Sequence, residues 1–254
     1  MTLIDDDKLR LLGGKPLIFK DICLIYSPLL EDVISIGLSK FYKDISLLLI
    51  EKPSVEEKEI NDVLKDLSDF EYLLLVCSME PETKKMLEEA FYLFTQDSII
   101  ISLETSSIIL GDPSEKRILT KDNFYDFQSY IGLACAMEDY SEERIEFLDT
   151  DSPKVRQLKL QMLEGRKKRK ELKEKQKKSD KSTINFSDLV ASLPIGTSGY
   201  TLQSVMKLSY YAFQDQLKRM GWHEEFNINT RAAMAGAKIG KDKLSHWIKT
   251  MTFK

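Results

Sequence analysis

A basic tract at residues 154–181 most constrains how this 254-residue chain can fold. It carries 13 basic and 4 acidic side chains, and between Glu164 and Lys178 its single apolar residue is Leu172. A segment with no apolar face has nothing to bury, so it reads as a solvated helix or charged connector and not as core. The expected organisation is an acidic, mostly helical domain over residues 1–152, a basic linker over 153–183 and a small helical module over 184–254. Charge divides the same way. Residues 1–153 hold 15 basic and 32 acidic side chains, a net of -17, while 154–181 carry +9 and 182–254 carry +4, for a total of -4. Such asymmetry points to parts with separate jobs.

Hydrophobic periodicity fills in the domains. Pro16–Phe19 and Ile22–Tyr26 read as strands or edge segments, and apolar positions from Leu29 keep a helical period to Pro53. Ser54 and Glu57 form a capping box for a helix with Ile60, Val63, Leu64 and Leu67 on one face. The run Phe70–Met79 fits a buried helix or a buried strand. Pro81 and Thr83 open a helix through Phe94. Ser98–Leu103 and Ser106–Leu110 are isoleucine-rich, Gly111–Ser114 is turn chemistry, and Lys116–Leu119 returns as a strand. Thr120 caps a helix through Cys135. In the last part, Phe186–Leu193 reads as one helix ended by Pro194 and the glycines after it. A long second helix starts after Thr201 and ends at Gly221, a third covers 228–237 and a fourth 244–251. The fold class is therefore α+β: a mostly helical N-terminal domain with a small antiparallel hairpin, a basic solvated linker helix and a small all-helical C-terminal module.

Few residues could carry catalysis. The longest apolar runs are far short of the ~20 residues a membrane span needs, and the acidic start, Asp5-Asp6-Asp7, is unlike a signal peptide. Cys23, Cys77 and Cys135 are widely spaced in apolar stretches and read as buried reduced thiols of an intracellular protein. His223 and His246 lack metal-ligand spacing. Gly13-Gly14-Lys15 and Gly236–Lys241 fall short of a phosphate loop, and Glu142-Glu143 and Glu224-Glu225 are solvated neighbours. No enzyme, cofactor or metal is expected. Arg166, Lys167, Lys168, Arg169 and Lys170 are the densest positive charge and the candidate contact for an acidic partner. Without interleaved aromatics, and beside a domain of net -17, nucleic acid is the disfavoured partner. Tyr210, Tyr211 and Trp222 fit either a recognition surface or core.

Three stretches carry a family resemblance: Ile184–Val190 directly after the Lys-rich tract, Leu208–Arg219, and Asn227–Lys238 followed by His246-Trp247. Tyr26–Leu29, Ile34–Gly37 and the hairpin before Asp122–Phe124 are compatible with it. In these the chain resembles tail assembly chaperones of long-tailed phages of Gram-positive bacteria. The resemblance implies a non-enzymatic factor in the host cell cytoplasm that binds the tape measure protein, recruits tail tube subunits and is absent from the finished virion. In several such proteins a frameshift adds the C-terminal module to a shorter product. Arg231, Lys238, His246 and Trp247 belong to the matching pattern and are partner-contact candidates, together with Tyr210 and Tyr211. The alternatives are a structural tail or connector protein, and a nucleic-acid-binding accessory protein acting through 154–181.

Overall fold

The computed structural model describes residues 5–53, 67–137, 152, 154, 156–157, 185–197 and 199–240. Helix α1 (Asp5–Leu12) stops at Gly13-Gly14, and a two-stranded antiparallel sheet follows, β1 (Leu17–Phe19) with β2 (Cys23–Ile25). Alternation decides its faces: Leu17, Phe19, Cys23 and Ile25 are buried, whereas the cross-strand pair Ile18 and Leu24 faces out.

The apolar period from Leu29 does not make one helix. It makes α2 (Leu30–Ile36) and α3 (Leu38–Leu48), separated at Gly37, whose φ of 86° is closed to most side chains. The ambiguous run 70–79 is a helix, α4 (Asp69–Met79), started by a capping box in which the Ser68 N–H donates to Glu71 Oε2 at 2.8 Å and the Glu71 N–H to Ser68 Oγ at 3.2 Å. Pro81 opens α5 (Pro81–Thr95) at a position where no N–H is needed. The expected capping box at Ser54–Glu57 and its helix lie outside the described residues.

The isoleucine-rich stretches pair as read. Strands β3 (Ile99–Ser102), β4 (Ser107–Leu110) and β5 (Ile118–Leu119) form an antiparallel sheet with β4 central, register Ile99↔Leu110 and Ile108↔Leu119. Ile108, Leu110 and Leu119 point into the core, and Ile100, Ile109 and Ile118 line up across the outer face. Gly111 closes the β4–β5 turn. Its φ is 66°, and a Cβ there would collide with the Arg117 guanidinium. That guanidinium crosses the turn to hold Asp97 through two bonds of 2.7 and 3.0 Å. Gly111→Ala should therefore lower stability by about 1–3 kcal/mol, from strain and the displaced ion pair together; a urea unfolding curve superimposing on that of the unsubstituted protein would refute this reading of the turn. Helix α6 (Lys121–Ala134) then starts at the Thr120–Asn123 capping box.

Three expectations for the last part need correction. Helix α7 (Phe186–Gly196) continues through Pro194, which sits in its last turn and forfeits only the bond to the Val190 carbonyl. The helix from Leu202 is short, α8 (Leu202–Met206), because the backbone turns at Lys207–Ser209. A separate helix, α9 (Tyr210–Met234), then runs straight through Gly221 and absorbs most of the expected third helix. A mid-helix glycine costs about 1 kcal/mol, which a run of good helix formers can absorb. The fourth helix lies outside the described residues.

The backbone turn at 207–209 is used to seat the C-terminal part on the rest. Leu29 and Ser209 form an antiparallel bridge; the Leu30 N–H donates to Leu208 O at 2.9 Å, the Tyr210 N–H to Pro28 O at 2.7 Å and the Tyr211 N–H to Ser27 Oγ at 2.9 Å. Val190, Leu193, Val205, Tyr210, Tyr211 and Phe213 are buried in the same core as Leu30, Phe41, Phe91 and Phe127. The described residues on the two sides of the basic tract thus share one hydrophobic core. The fold is α+β, mostly helical with small antiparallel sheets.

Candidate functional site

The helical period that buries Phe41, Ile45 and Leu48 of α3 leaves a second face, Tyr42, Lys43, Ser46, Leu47 and, just past the helix end, Ile50. This face forms one wall of an open groove of about 460 Å³. Val76 of α4 and Thr83 and Met86 of α5 line the rest. The wall from Tyr42 to Ile50 is about 12 Å long, two helical turns. Its surface is mostly apolar, and among the described lining residues Lys43 is the charged one. Tyr42 is 47 % exposed. What the described lining can do is take apolar side chains of another helix.

The groove is held by polar contacts at three points. At one end Gln128, buried on α6, donates to the carbonyl of Leu48 (3.2 Å), which α3 leaves open at its C-terminus, and to that of Ile50 (3.1 Å) just beyond it. At the other, the Tyr42 hydroxyl lies 3.4 Å from that of Tyr210. Between α3 and α5, Lys40 reaches Glu89 at 2.7 Å and Asp44 at 3.3 Å. The Lys40 bond holds the Glu89 carboxyl below its ordinary range. Asp44, 1 % exposed, is pushed the other way, up, by burial that outweighs the Lys40 charge.

The sequence-derived candidates are scattered. Tyr210 and Tyr211 are not a recognition surface: they are 5 % and 1 % exposed. Tyr210 packs its ring 4.9 Å from Phe41 and stacks with Phe186 at 6.4 Å, and burial pushes both phenols up. Their part in the site is support, because Tyr210 bears on the groove residue Tyr42. Arg231, in the last turn of α9, and Lys238 beyond it are exposed. Arg166, Lys167, Lys168, Arg169, Lys170, His246 and Trp247 lie outside the described residues. The three cysteines are free and buried, and burial raises the thiols, Cys23 to about 12 and Cys77 to about 11. Among the described residues no helix is long and apolar enough to cross a membrane, and no group of three His, Cys, Asp or Glu could hold a metal ion.

The groove escaped the sequence reading, which placed Tyr42 and Met86 on helical periods and Val76 in the buried run 70–79. One signal was available. Phe70–Met79 is apolar nearly all round, more than one buried face requires, and in the fold Leu75 and Met79 stay exposed at 40 % and 74 %.

Residues 174–252 match the family model described as the YomV second domain. YomV is a Bacillus phage gene, and the match suggests that this protein is phage-derived. The matched stretch takes in α7, α8 and α9, under a third of the chain, and so includes the residues seated in the common core. Neither the comparison with curated proteins nor that with solved structures gives a match.

Proposed function

We propose that this protein is a phage tail assembly chaperone, acting in the host cytoplasm, that holds the helical tape measure protein through the α3–α4–α5 groove and helps bring tail tube subunits to it. The observation that carries the reading is the groove: open, apolar and two helical turns long. A long tail protein with exposed amphipathic helices offers matching side chains at i, i+3 and i+4. The surrounding charge supports the same role. The acidic excess of residues 1–153, a net of -17, repels other copies and keeps a sticky complex apart from others. Chemistry of this kind needs no cofactor. The positive charge of the basic tract, +9 over residues 154–181, and the exposed Arg231 and Lys238 suit a second, acidic surface on the tube subunit. The phage-associated match and the C-terminal sequence pattern support the setting.

The reading is tested by mass spectrometry of what a tagged copy captures from phage-producing cells, set beside the protein content of purified particles. The expected result is a long helical tail protein in the capture and none of this chain in particles. Finding the chain in particles would make it a structural component, and capture dominated by nucleic acid would move the function to the basic tract.

A further inference from the structure

The two long walls of the groove, α3 and α5, meet over an uneven sharing of charge. Asp44 and Glu89 compete for Lys40, and the second cation, Lys85, pairs with Glu89. Asp44 is buried within this junction, and among the described residues its Oδ1 accepts no hydrogen bond. An ionised carboxylate with an orphan oxygen, sharing its one cation with a rival, is held there at a cost. Among the described residues, Lys40 is the cation that acts on Asp44. From α5, Lys85 stands 3.9 Å from Glu89 and is 77 % exposed. On α2, Glu31 is exposed and Asp32 likewise. On α6, Asp126 pairs with Lys20, Lys121 with Glu71, and Gln128 spends its amide on Leu48 and Ile50. From α9, the Tyr210 phenol lies 3.4 Å from the Tyr42 hydroxyl.

We propose that Asp44 is a proton-sensitive staple beneath the groove: a proton taken up on its carboxyl removes the buried charge, leaves Lys40 to Glu89 and keeps the α3–α5 junction tight, and loss of that proton loosens it. The consequence for partner binding rests on the groove reading above; the staple itself does not. The sign follows from linkage. A carboxyl raised in the folded state contributes stability below its unfolded value, and that contribution is lost as pH rises through the folded value.

The test compares the full chain with Asp44→Asn, a neutral copy of the protonated form, by thermal melting from about pH 4 to about pH 8. The two should melt together at the acid end, and Asp44→Asn should pull ahead with pH, reaching about 2–4 °C. Amide exchange in α3 should slow in the variant at the alkaline end and match at the acid end. Glu89→Gln, at the exposed partner, should leave the rise with pH in place. A constant offset between wild type and Asp44→Asn across the range would overturn the proposal, as would an Asp44→Asn curve that falls below wild type at high pH. Asp44→Leu separates lost charge from lost hydrogen bonding: a gain at high pH there too supports the staple. Since no partner is present, failure here leaves the groove reading standing, and failure of partner capture leaves the staple standing.

Discussion

Phe213→Ala should destabilise the whole protein, not its C-terminal part alone, by about 3–5 kcal/mol. Phe213 is fully buried, 5.7 Å ring to ring from Phe186, in the core that also holds Phe41 and Leu30. Truncating it leaves a cavity at the seam between α9 and the body, and the loss is a large fraction of a typical domain's stability. The sequence supplies two probes that distinguish this from an independent module. Both tryptophans, Trp222 and Trp247, lie in the C-terminal part, so their fluorescence reports on it, whereas far-ultraviolet circular dichroism reports on the whole chain. In denaturant the two signals should change together in the unsubstituted protein, and Phe213→Ala should shift both midpoints down together. An early fluorescence transition followed by an unshifted dichroism transition would show that residues 185–240 fold apart from the body, contrary to the shared core.

The second large effect concerns binding. Leu47→Glu or Met86→Glu places a charge on the apolar lining of the groove, where an incoming helix would have to strip it of water. Capture of the helical tail partner should fall at least tenfold, the loss expected when a central apolar contact worth roughly 1.4 kcal/mol or more is removed. Because the groove is open, the new carboxylate stays hydrated in the free protein, and melting temperature should move by only a few degrees. Ile100→Glu is the matched control. It sits on the outer face of the β3–β4–β5 sheet, 48 % exposed and away from the groove, and should leave capture unchanged. Equal loss from all three substitutions would mean that general surface charge governs binding. Capture unaffected by Leu47→Glu and Met86→Glu would remove the groove from the function.

Much of the fold was legible because local chemistry agreed with tertiary outcome. Isoleucine-rich strands flanking Gly111–Ser114 could hardly be anything but a hairpin, and Thr120 announced α6. What failed did so for nameable reasons. Periodicity alone could not see the break at Gly37, since apolar residues keep phase through both helices around it. It could not tell helix from strand for Phe70–Met79, where nearly every position is apolar. Gly221 misled because propensity is a weak prior inside a helix of 25 residues. The seating of α7–α9 was illegible in a different way: a buried face shows in the sequence, but the surface it meets does not. Tyr210 and Tyr211 were ambiguous for that reason, and the Leu29↔Ser209 bridge settles them as core. The groove was hidden by the same logic. Tyr42, Val76 and Met86 look like core residues, and only the arrangement of three helices leaves them partly open.

The most direct test of the chaperone account is co-expression of the tape measure protein with this chain, reading the fraction of tape measure protein that stays in the supernatant after sedimentation. The account predicts a tape measure protein that sediments when expressed alone, remains in the supernatant with the unsubstituted chain and sediments again with Leu47→Glu. A tape measure protein whose sedimentation is the same with and without this chain would contradict it.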